Sequence, residues 1–419
     1  MRLPVAARSE DTPPLAVRAL PGVSGGRAAA PVRVAVVYSS DFERVSPGGI
    51  MTSVKELVAR LDHRFHVVMA CVGDQRETER IGARLRRTEI TVLPVISAAR
   101  RPPSIPLNIV FTAGLLRAKG RIVREADVIH AHRMELALPF VIRKRKPVVL
   151  TVAGSSAHHA SCTSGLLRWK PVQRLYDLVE GFVFSRVDVV HLLSQEAHEY
   201  YRRRHPRQRQ KFRVIPNFID TSTFTPADRG TARPLFGLGE ADLAVVYAGR
   251  LSPEKRVDHL IAAFAEVARV RPTARLLIGG AGPEEARLRR QAAALALERV
   301  RFLGTLSRPD VRLLLSSADV VVLPSVFEGF PMAALEALAC GVPVVATDVG
   351  GVRDILTGGL TDFVLRSVEP KELAARIVVA ADRREAARDL CLARARQFDA
   401  TRILPQIEAV YSSLMRRPR

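Results

Sequence analysis

Short, nearly continuous runs of β-branched and aliphatic residues recur along the chain, separated by stretches in which apolar residues keep helical spacing. The first run, Val32-Arg33-Val34-Ala35-Val36-Val37-Tyr38, ends in the turn-rich segment 39–49. Ile50, Val54, Leu57, Val58 and Leu61 then recur as on one face of a helix. Residues 65–72, 128–130, 148–152 and 187–192 read as further strands; 107–124 reads as a helix after a Pro-rich interval from Pro94 to Pro106. Strands apolar along their whole length are buried on both faces, as in parallel sheets covered by helices. The series breaks at Val214-Ile215-Pro216-Asn217, runs through a turn-rich stretch to Pro234, and restarts. Strands at 243–248, 274–278, 300–303, 320–323 and 342–346 now alternate with helices at 257–270, 284–297, 310–316 and 331–340. Two series of similar size predict two doubly wound α/β domains facing a cleft. Ligands are expected at the carboxyl ends of the strands.

The length of 419 residues accommodates this division, with each part able to bury its own core. Residues 1–30, rich in Pro, Gly, Ala and Arg without periodicity, read as a disordered tail. The expected first domain spans 31–215 together with about 403–419, from a C-terminal helix returning to it, and the second spans 216–402. No apolar run reaches the roughly 18 residues of a spanning helix. Arg2 and Arg8 have no apolar stretch behind them, so no secretory signal is expected. Cys71, Cys162, Cys340 and Cys391 form no Cys-x-x-Cys pair, which fits a reducing compartment.

Charge is the outlying property. The chain carries 64 Lys and Arg against 42 Asp and Glu, a net charge of +22, and the first 230 residues hold 37 of the former and 20 of the latter. Such a field favours an anionic partner: nucleic acid, anionic lipid or an acidic small molecule. Its densest runs are Arg143-Lys144-Arg145-Lys146 and the segment from Arg202 to Arg213. With aromatics at 5% and Trp169 as sole tryptophan, the stacking platforms of single-strand binders are poorly supplied.

The most specific stretch runs from Pro324 to Gly351. A strand ends at Pro324, Glu328-Gly329-Phe330 forms a turn, and Pro331 suits the first position of a helix because its missing N–H costs nothing there. Gly341 supplies a left-handed residue to end that helix, and Pro343 prevents its continuation. The unsatisfied N–H groups near Phe330 to Ala333, backed by the helix dipole, make an anion site. Glu328 stands beside it, and Glu336 lies roughly 7.5 Å further along the axis. Carboxylates beside an anion site suit the hydroxyl groups of sugars and riboses rather than the anion itself.

Glu328 and Glu336 bracket seven residues, and the stretch resembles the Glu-x7-Glu signature of the retaining glycosyltransferases of family 4, the group 1 type with the GT-B fold. The similarity extends from about residue 34 to residue 412. It implies two Rossmann-like domains: an N-terminal one binding the acceptor and a C-terminal one binding a nucleotide-sugar. Gly249-Arg250-Leu251-Ser252-Pro253-Glu254-Lys255 matches the family's cation pair on the donor diphosphate, which assigns that role to Arg250 and Lys255. A departing nucleoside diphosphate gathers negative charge, and fixed cations with a helix N-terminus stabilise it. Where many members have Gly after the Lys, this chain has Arg256, a third cation at the rim.

Other matches carry further roles. Leu276-Leu277-Ile278-Gly279-Gly280-Ala281-Gly282 resembles the glycine turn of the donor domain, and Phe302-Leu303-Gly304-Thr305-Leu306 the edge along the nucleobase. Ile215-Pro216-Asn217-Phe218-Ile219-Asp220 resembles the family's hinge, with Phe218 in place of Gly. Pro47-Gly48-Gly49 resembles the glycine loop of the first domain, whose missing side chains let Gly48 and Gly49 approach the donor phosphate and the reacting sugar. In Asp127-Val128-Ile129-His130-Ala131-His132 the resemblance assigns contact with the donor sugar to His132, and His130 reads as a buried neighbour. Where many members read Thr-Val-His-Gly, this chain reads Thr151-Val152-Ala153-Gly154; His158 or His159 are the candidates to compensate. A zinc site built from these histidines lacks an acidic or cysteine ligand at suitable spacing, so no metal is expected.

The implied activity is metal-independent, retaining transfer of a hexosyl or N-acetylhexosaminyl group from a UDP- or GDP-linked sugar, with no cofactor besides this co-substrate. Glu328 and His132 are the expected catalytic residues. Gly48, Gly49, Arg250, Lys255, Leu306, Gly329, Phe330, Pro331 and Glu336 are the expected binding residues. The acceptor is a saccharide, lipid-linked or small-molecule acceptor in cell-surface polysaccharide, glycolipid or glycoconjugate synthesis. The basic first domain makes that acceptor anionic or presented at an anionic membrane surface, in a cytoplasmic enzyme peripheral to the inner face of the membrane. Two alternatives compete: a catalytically inactive nucleotide-sugar-binding protein of GT-B shape, and a basic nucleic-acid-binding protein. No nucleic-acid partner is expected.

Overall fold

A computed structural model of the protein describes residues 30–41, 49–73, 87, 90–97, 107–154 and 170–416. The expected tail, apart from residue 30, lies outside this set, as do Gly48, His158, His159, Cys162 and Trp169. The first sheet contains β1 (Val32–Asp41), β2 (Phe65–Val72), β3 (Ile90–Ile96), β4 (Val128–Ala131), β5 (Val148–Val152), β6 (Val189–Leu192) and β7 (Phe212–Val214). All pair in parallel, in the order β3-β2-β1-β4-β5-β6-β7. The second sheet contains β8 (Ala244–Ala248), β9 (Arg275–Gly279), β10 (Val300–Gly304), β11 (Val320–Leu323), β12 (Val344–Thr347) and β13 (Val364–Leu365). It too is parallel, in the order β10-β9-β8-β11-β12-β13.

In each sheet the winding reverses beside its first strand, between β1 and β4 and between β8 and β11. Loops leaving such neighbouring strands diverge to opposite faces and open a crevice at their carboxyl ends. The loops carrying His132, Arg250 and Glu328 are among those that follow these four strands.

Side-chain alternation explains how the first sheet is covered. Ala35 and Val37 face one side, packing with Phe111, Leu115, Phe140 and Phe184 of the helices Leu107–Glu125, Met134–Val141 and Lys170–Arg186. Val34 and Val36 face the other side, against Val54 and Leu57 of the helix Gly49–Arg60 and Ile403, Ile407 and Tyr411 of the helix Ala400–Met415. The last helix thus returns to the first sheet, as the fold family implies. The second sheet has one continuous core.

The chain crosses between the sheets twice, and the two crossings are bonded to each other. Ile219 N–H donates to Phe398 O and Ala400 N–H to Ile219 O, both at 2.9 Å. Asp399 caps the returning helix by accepting from Thr401 N–H at 2.9 Å and binds the first crossing through Thr221 Oγ1 at 2.6 Å.

Most expected strands and helices fall within one or two residues of their observed bounds. β3 was not expected, because it contains Pro94 within the Pro-rich interval. It is an edge strand, where a missing backbone donor can face away from the ladder. The strand expected from 187 starts at Val189; Asp188 instead accepts a bond from Val148 N–H at 2.8 Å at the start of β5.

The basic runs have structural work. Lys211 Nζ donates to the carbonyls of Phe184 and Ser185 (3.2 and 2.7 Å) and Lys144 Nζ to that of Arg186 (3.0 Å), at the negative end of the helix Lys170–Arg186. Lys144 also pairs with Asp188 at 2.7 Å, Lys146 with Asp127 at 3.5 Å and Arg204 with Glu180 at 3.0 Å. A cavity of about 470 Å³ bordered by Lys144, Arg186, Lys211 and Arg213 opens at the amino ends of β6 and β7, away from the crevice.

Candidate active site

The second-lobe side of the crevice is built by the loops after β8 and β11. Beyond Ala248 the chain turns through Gly249 into the short 3-10 turn Pro253–Lys255. Lys255 Nζ lies 2.7 Å from Glu328 Oε1, and Ser325 Oγ donates to the same oxygen at 2.7 Å. Arg250 is exposed, and its guanidinium has no ion-pair partner among the described residues. Arg256 does not join them. It holds a left-handed conformation, φ +48°, and its guanidinium turns to Asp258 (3.6 Å) and His259 in the first turn of the next helix. Glycine adopts that conformation without cost, which accounts physically for its frequency at this position in the family pattern.

Backbone crowding shapes the same loops. Gly280 has φ +132°, and a Cβ on it would stand 1.8 Å from Gly249 O; a Cβ on Gly350 would stand 1.8 Å from Glu328 O. Only a residue without a side chain lets these strand ends approach so closely. Leu306, half-buried, lies over Gly279 at the end of β9.

The helix following the Glu328 turn runs Met332–Ala339, and Pro331 is its extended N-cap, one place earlier than expected. Gly341 ends it with φ +71°, as expected. Phe330, Pro331 and Met332 are buried, and Gly49 at the start of the helix Gly49–Arg60 faces Met332. Glu336 is 9% exposed, and burial pushes its carboxyl up to about 7. Arg308 opposes that shift from 3.3 Å, and its other terminal nitrogen reaches Glu56 of the first lobe at 3.6 Å. Glu56 pairs in turn with Arg60 at 2.9 Å, and Arg60 with Asp220. A chain of alternating charges therefore joins the second lobe, the first lobe and the crossing.

On the first lobe, His132 follows β4 and is buried, and burial lowers its ring to about 3, so it is neutral near pH 7. Its Nε2 is buried without a hydrogen-bond partner among the described residues. His130, wholly buried as expected of a structural neighbour, lies beside it with ring centroids 4.2 Å apart.

The two lobes touch at this point. A Cβ on Gly329 would stand 1.6 Å from Ala153 O, and Asn217 Nδ2 donates to Phe330 O at 3.2 Å. Ala153, standing where the family pattern has His, packs against the core of the second lobe. Phe218, replacing the hinge glycine, is buried against the returning helix, and positive φ among described non-glycine residues is confined to Arg143, Arg256 and Ala296. That departure therefore leaves the hinge unstrained.

Contacts thus bring Gly49 to Met332, Lys255 to Glu328, Gly329 to Ala153 and Phe330 to Asn217, which borders a cavity with His132. Glu336 reaches the first lobe through Arg308, Arg250 follows β8, Leu306 lies over the end of β9, and Gly48 lies outside the described residues. Sequence reasoning missed Arg308, Glu56 and Ser325. Ser325 sits three residues before Glu328, a spacing that signals a turn bond; Arg308 and Glu56 gave no local signal. Among the described residues no group of three or more His, Cys, Asp or Glu is placed to hold a metal ion. No described helix is long and apolar enough to cross a membrane.

Two parallel-sheet, Rossmann-like lobes with a crevice at the carboxyl ends of their strands make the GT-B architecture. Residues 228–392 match the family described as Glycosyl transferases group 1, and residues 47–223 match Glycosyltransferase Family 4. The chain is 30% identical over 319 residues to the D-inositol 3-phosphate glycosyltransferase of Actinosynnema mirum, covering 72% of this chain and 76% of that one. It is 33% identical over 270 residues to the protein of the same name from Mycobacterium sp. (strain KMS), covering 60% of this chain and 59% of the relative. Sucrose-phosphate synthase from Thermosynechococcus elongatus superposes with a TM-score of 0.77 at 21% identity, over 92% of this chain and 99% of that one. The chain belongs to the group 1 glycosyltransferases of family 4.

Proposed function

We propose that the protein transfers a sugar from a nucleotide-sugar, UDP- or GDP-linked, with retention of configuration and without a metal ion. The observation that carries this is the Lys255–Glu328 pair, 73 residues apart in sequence, at the N-terminus of the helix that bears Glu336. In this reading Arg250, Lys255 and the amides around Phe330 and Pro331 hold the diphosphate, while Leu306 lies along the base and Glu336 accepts from ribose hydroxyls. Glu328 and Gly329 border the donor sugar, Gly49 approaches it from the first lobe, and neutral His132 orients it. Rate acceleration comes from positioning and from stabilising the leaving diphosphate; the acceptor proton passes to that phosphate on the same face. The cations take the charge role that a metal ion has elsewhere.

The acceptor is a phosphate-bearing or lipid-linked saccharide precursor for cell-surface polysaccharide, glycolipid or glycoconjugate, met by a cytoplasmic enzyme at an anionic membrane surface. The relatives' name, with its inositol phosphate, and the basic first lobe support an anionic acceptor. Domain limits are taken at 31–215 with about 403–419, and at 216–402; the separate cores support a division near these positions, with Phe218 and Ala400 packed in the first. Thermal shift against UDP-, GDP- and ADP-sugars identifies the donor, since a ligand specific to the native state raises stability. Turnover that survives EDTA and yields the donor's anomeric configuration is expected. Turnover unaffected by Arg250→Ala, Lys255→Ala and Glu336→Ala together would sink the proposal.

A further inference from the structure

Behind His132, three strands and the returning helix share one buried chain of hydrogen bonds. His191 Nε2 lies 2.7 Å from Ile215 O; His191 Nδ1 lies 3.0 Å from Thr151 Oγ1. Thr151 Oγ1 lies 2.7 Å from His130 Nε2, and His130 Nδ1 lies 2.6 Å from the Tyr411 hydroxyl. All four side chains are buried. The direction of every bond follows from one end. A carbonyl can only accept, so His191 carries a proton on Nε2; burial keeps its ring neutral near pH 7, and Nδ1 is then an acceptor. Thr151 then donates to His191 and accepts from His130 Nε2–H. His130 Nδ1 is left as an acceptor for the Tyr411 O–H. Both histidines are thus neutral Nε2–H tautomers, since burial lowers His191 to about 4 and holds His130 well below its ordinary value.

We propose that Thr151, His191 and Tyr411 are positioning residues for sugar transfer, holding the His130 ring neutral and fixed so that it backs His132. The His130 ring lies 4.2 Å from that of His132. A cavity of about 40 Å³ is bordered by His130, His132, Thr151, His191 and Asn217. The chain starts on the carbonyl of Ile215, which opens the crossing between lobes, and ends on the helix that returns from the second lobe. The wall of the sugar site is therefore tied to both connections. A neutral wall raises no repulsion against the positive charge that develops on the transferred sugar as the diphosphate leaves.

This proposal rests on His132 facing the donor sugar, and the experiment separates the two. In protein labelled with nitrogen-15 at histidine, His130 and His191 should both show the Nε2–H tautomer. An Nδ1–H tautomer or a charged ring at neutral pH overturns the proposal before any variant is made. Thr151→Val removes both bonds at the centre and should lower kcat by between about 10- and 100-fold, with donor KM within about two-fold. Thr151→Ser should restore kcat. Wild-type kcat in Thr151→Val, or a serine variant no better than valine, overturns it. His132→Ala tests the underlying assignment: full activity there removes His132 from the site, while the tautomers are read independently.

Discussion

The α-carbon of Gly329 faces the carbonyl oxygen of Ala153 so closely that a Cβ on the glycine would stand 1.6 Å from that oxygen. One residue belongs to the turn that carries Glu328, the other to the end of β5 on the opposite lobe. The glycine is what lets the two lobes meet at the site.

Gly329→Ala should therefore hold the lobes apart without harming either core. The expected outcome is a fall in kcat/KM by about 100-fold, the scale of an ångström of misplacement, with thermal unfolding nearly unchanged. Small-angle scattering should show a more open particle. An alanine variant with wild-type turnover would mean that this contact is incidental.

The Lys255–Glu328 pair is predicted to act as a unit. Lys255→Ala should lower kcat/KM by about 10²–10³-fold, as for loss of one preorganised stabilising group. Among the described residues it also leaves Glu328 with Ser325 as its remaining side-chain donor. Combining Lys255→Ala with Glu328→Gln should cost less than the sum of the single effects, measured by a double-mutant cycle.

Glu336 should impose a pH dependence with opposite signs on stability and on binding. Its folded-state value is raised from 4.5 to about 7. The folded protein therefore binds the extra proton, and the associated stability, about 3 kcal/mol, is fully present below pH 4.5 and lost as pH rises through 7. Glu336→Gln should flatten unfolding midpoints across that window. Donor kcat/KM should instead fall below about pH 7, as the accepting carboxylate is protonated. Arg308→Met removes the opposing cation and should move that limb to higher pH; an unmoved limb would refute the coupling.

Asp399→Ala should lower stability by about 2 kcal/mol, since it removes a helix cap and the bond to Thr221 together. Hydrogen exchange should quicken in the helix Ala400–Met415 and in the β1 face beneath it, and not in β8 to β13.

Legibility in the sequence followed locality. Both sheets could be read because Val34 to Val37 and Val320 to Leu323 are apolar throughout, and a pattern of that kind needs no knowledge of partners. The helix carrying Glu336 could be read from its own punctuation, Pro331 and Gly341. Arg308, Glu56 and the Tyr411–His130–Thr151–His191 chain could not, because they are assembled by crossovers between distant strands, with 281 residues separating His130 from Tyr411. The Arg143–Lys146 and Arg202–Arg213 runs were visible as charge, but their engagement with carbonyls and acids of the helix Lys170–Arg186, and with Asp127 and Asp188, depends on tertiary packing.

The returning helix has a consequence for synthesis. One face of the first sheet is covered only in part, by the helix Gly49–Arg60, until residues 400–415 have been made, so the core of the first lobe is completed after the strands of the second. The second lobe, whose sheet and core lie between the two crossings, has its strands and covering helices in hand earlier. Until then Val34, Val36 and Val67 lack the part of their cover that Ile403, Ile407 and Tyr411 supply, a partly exposed apolar face of the kind that favours aggregation.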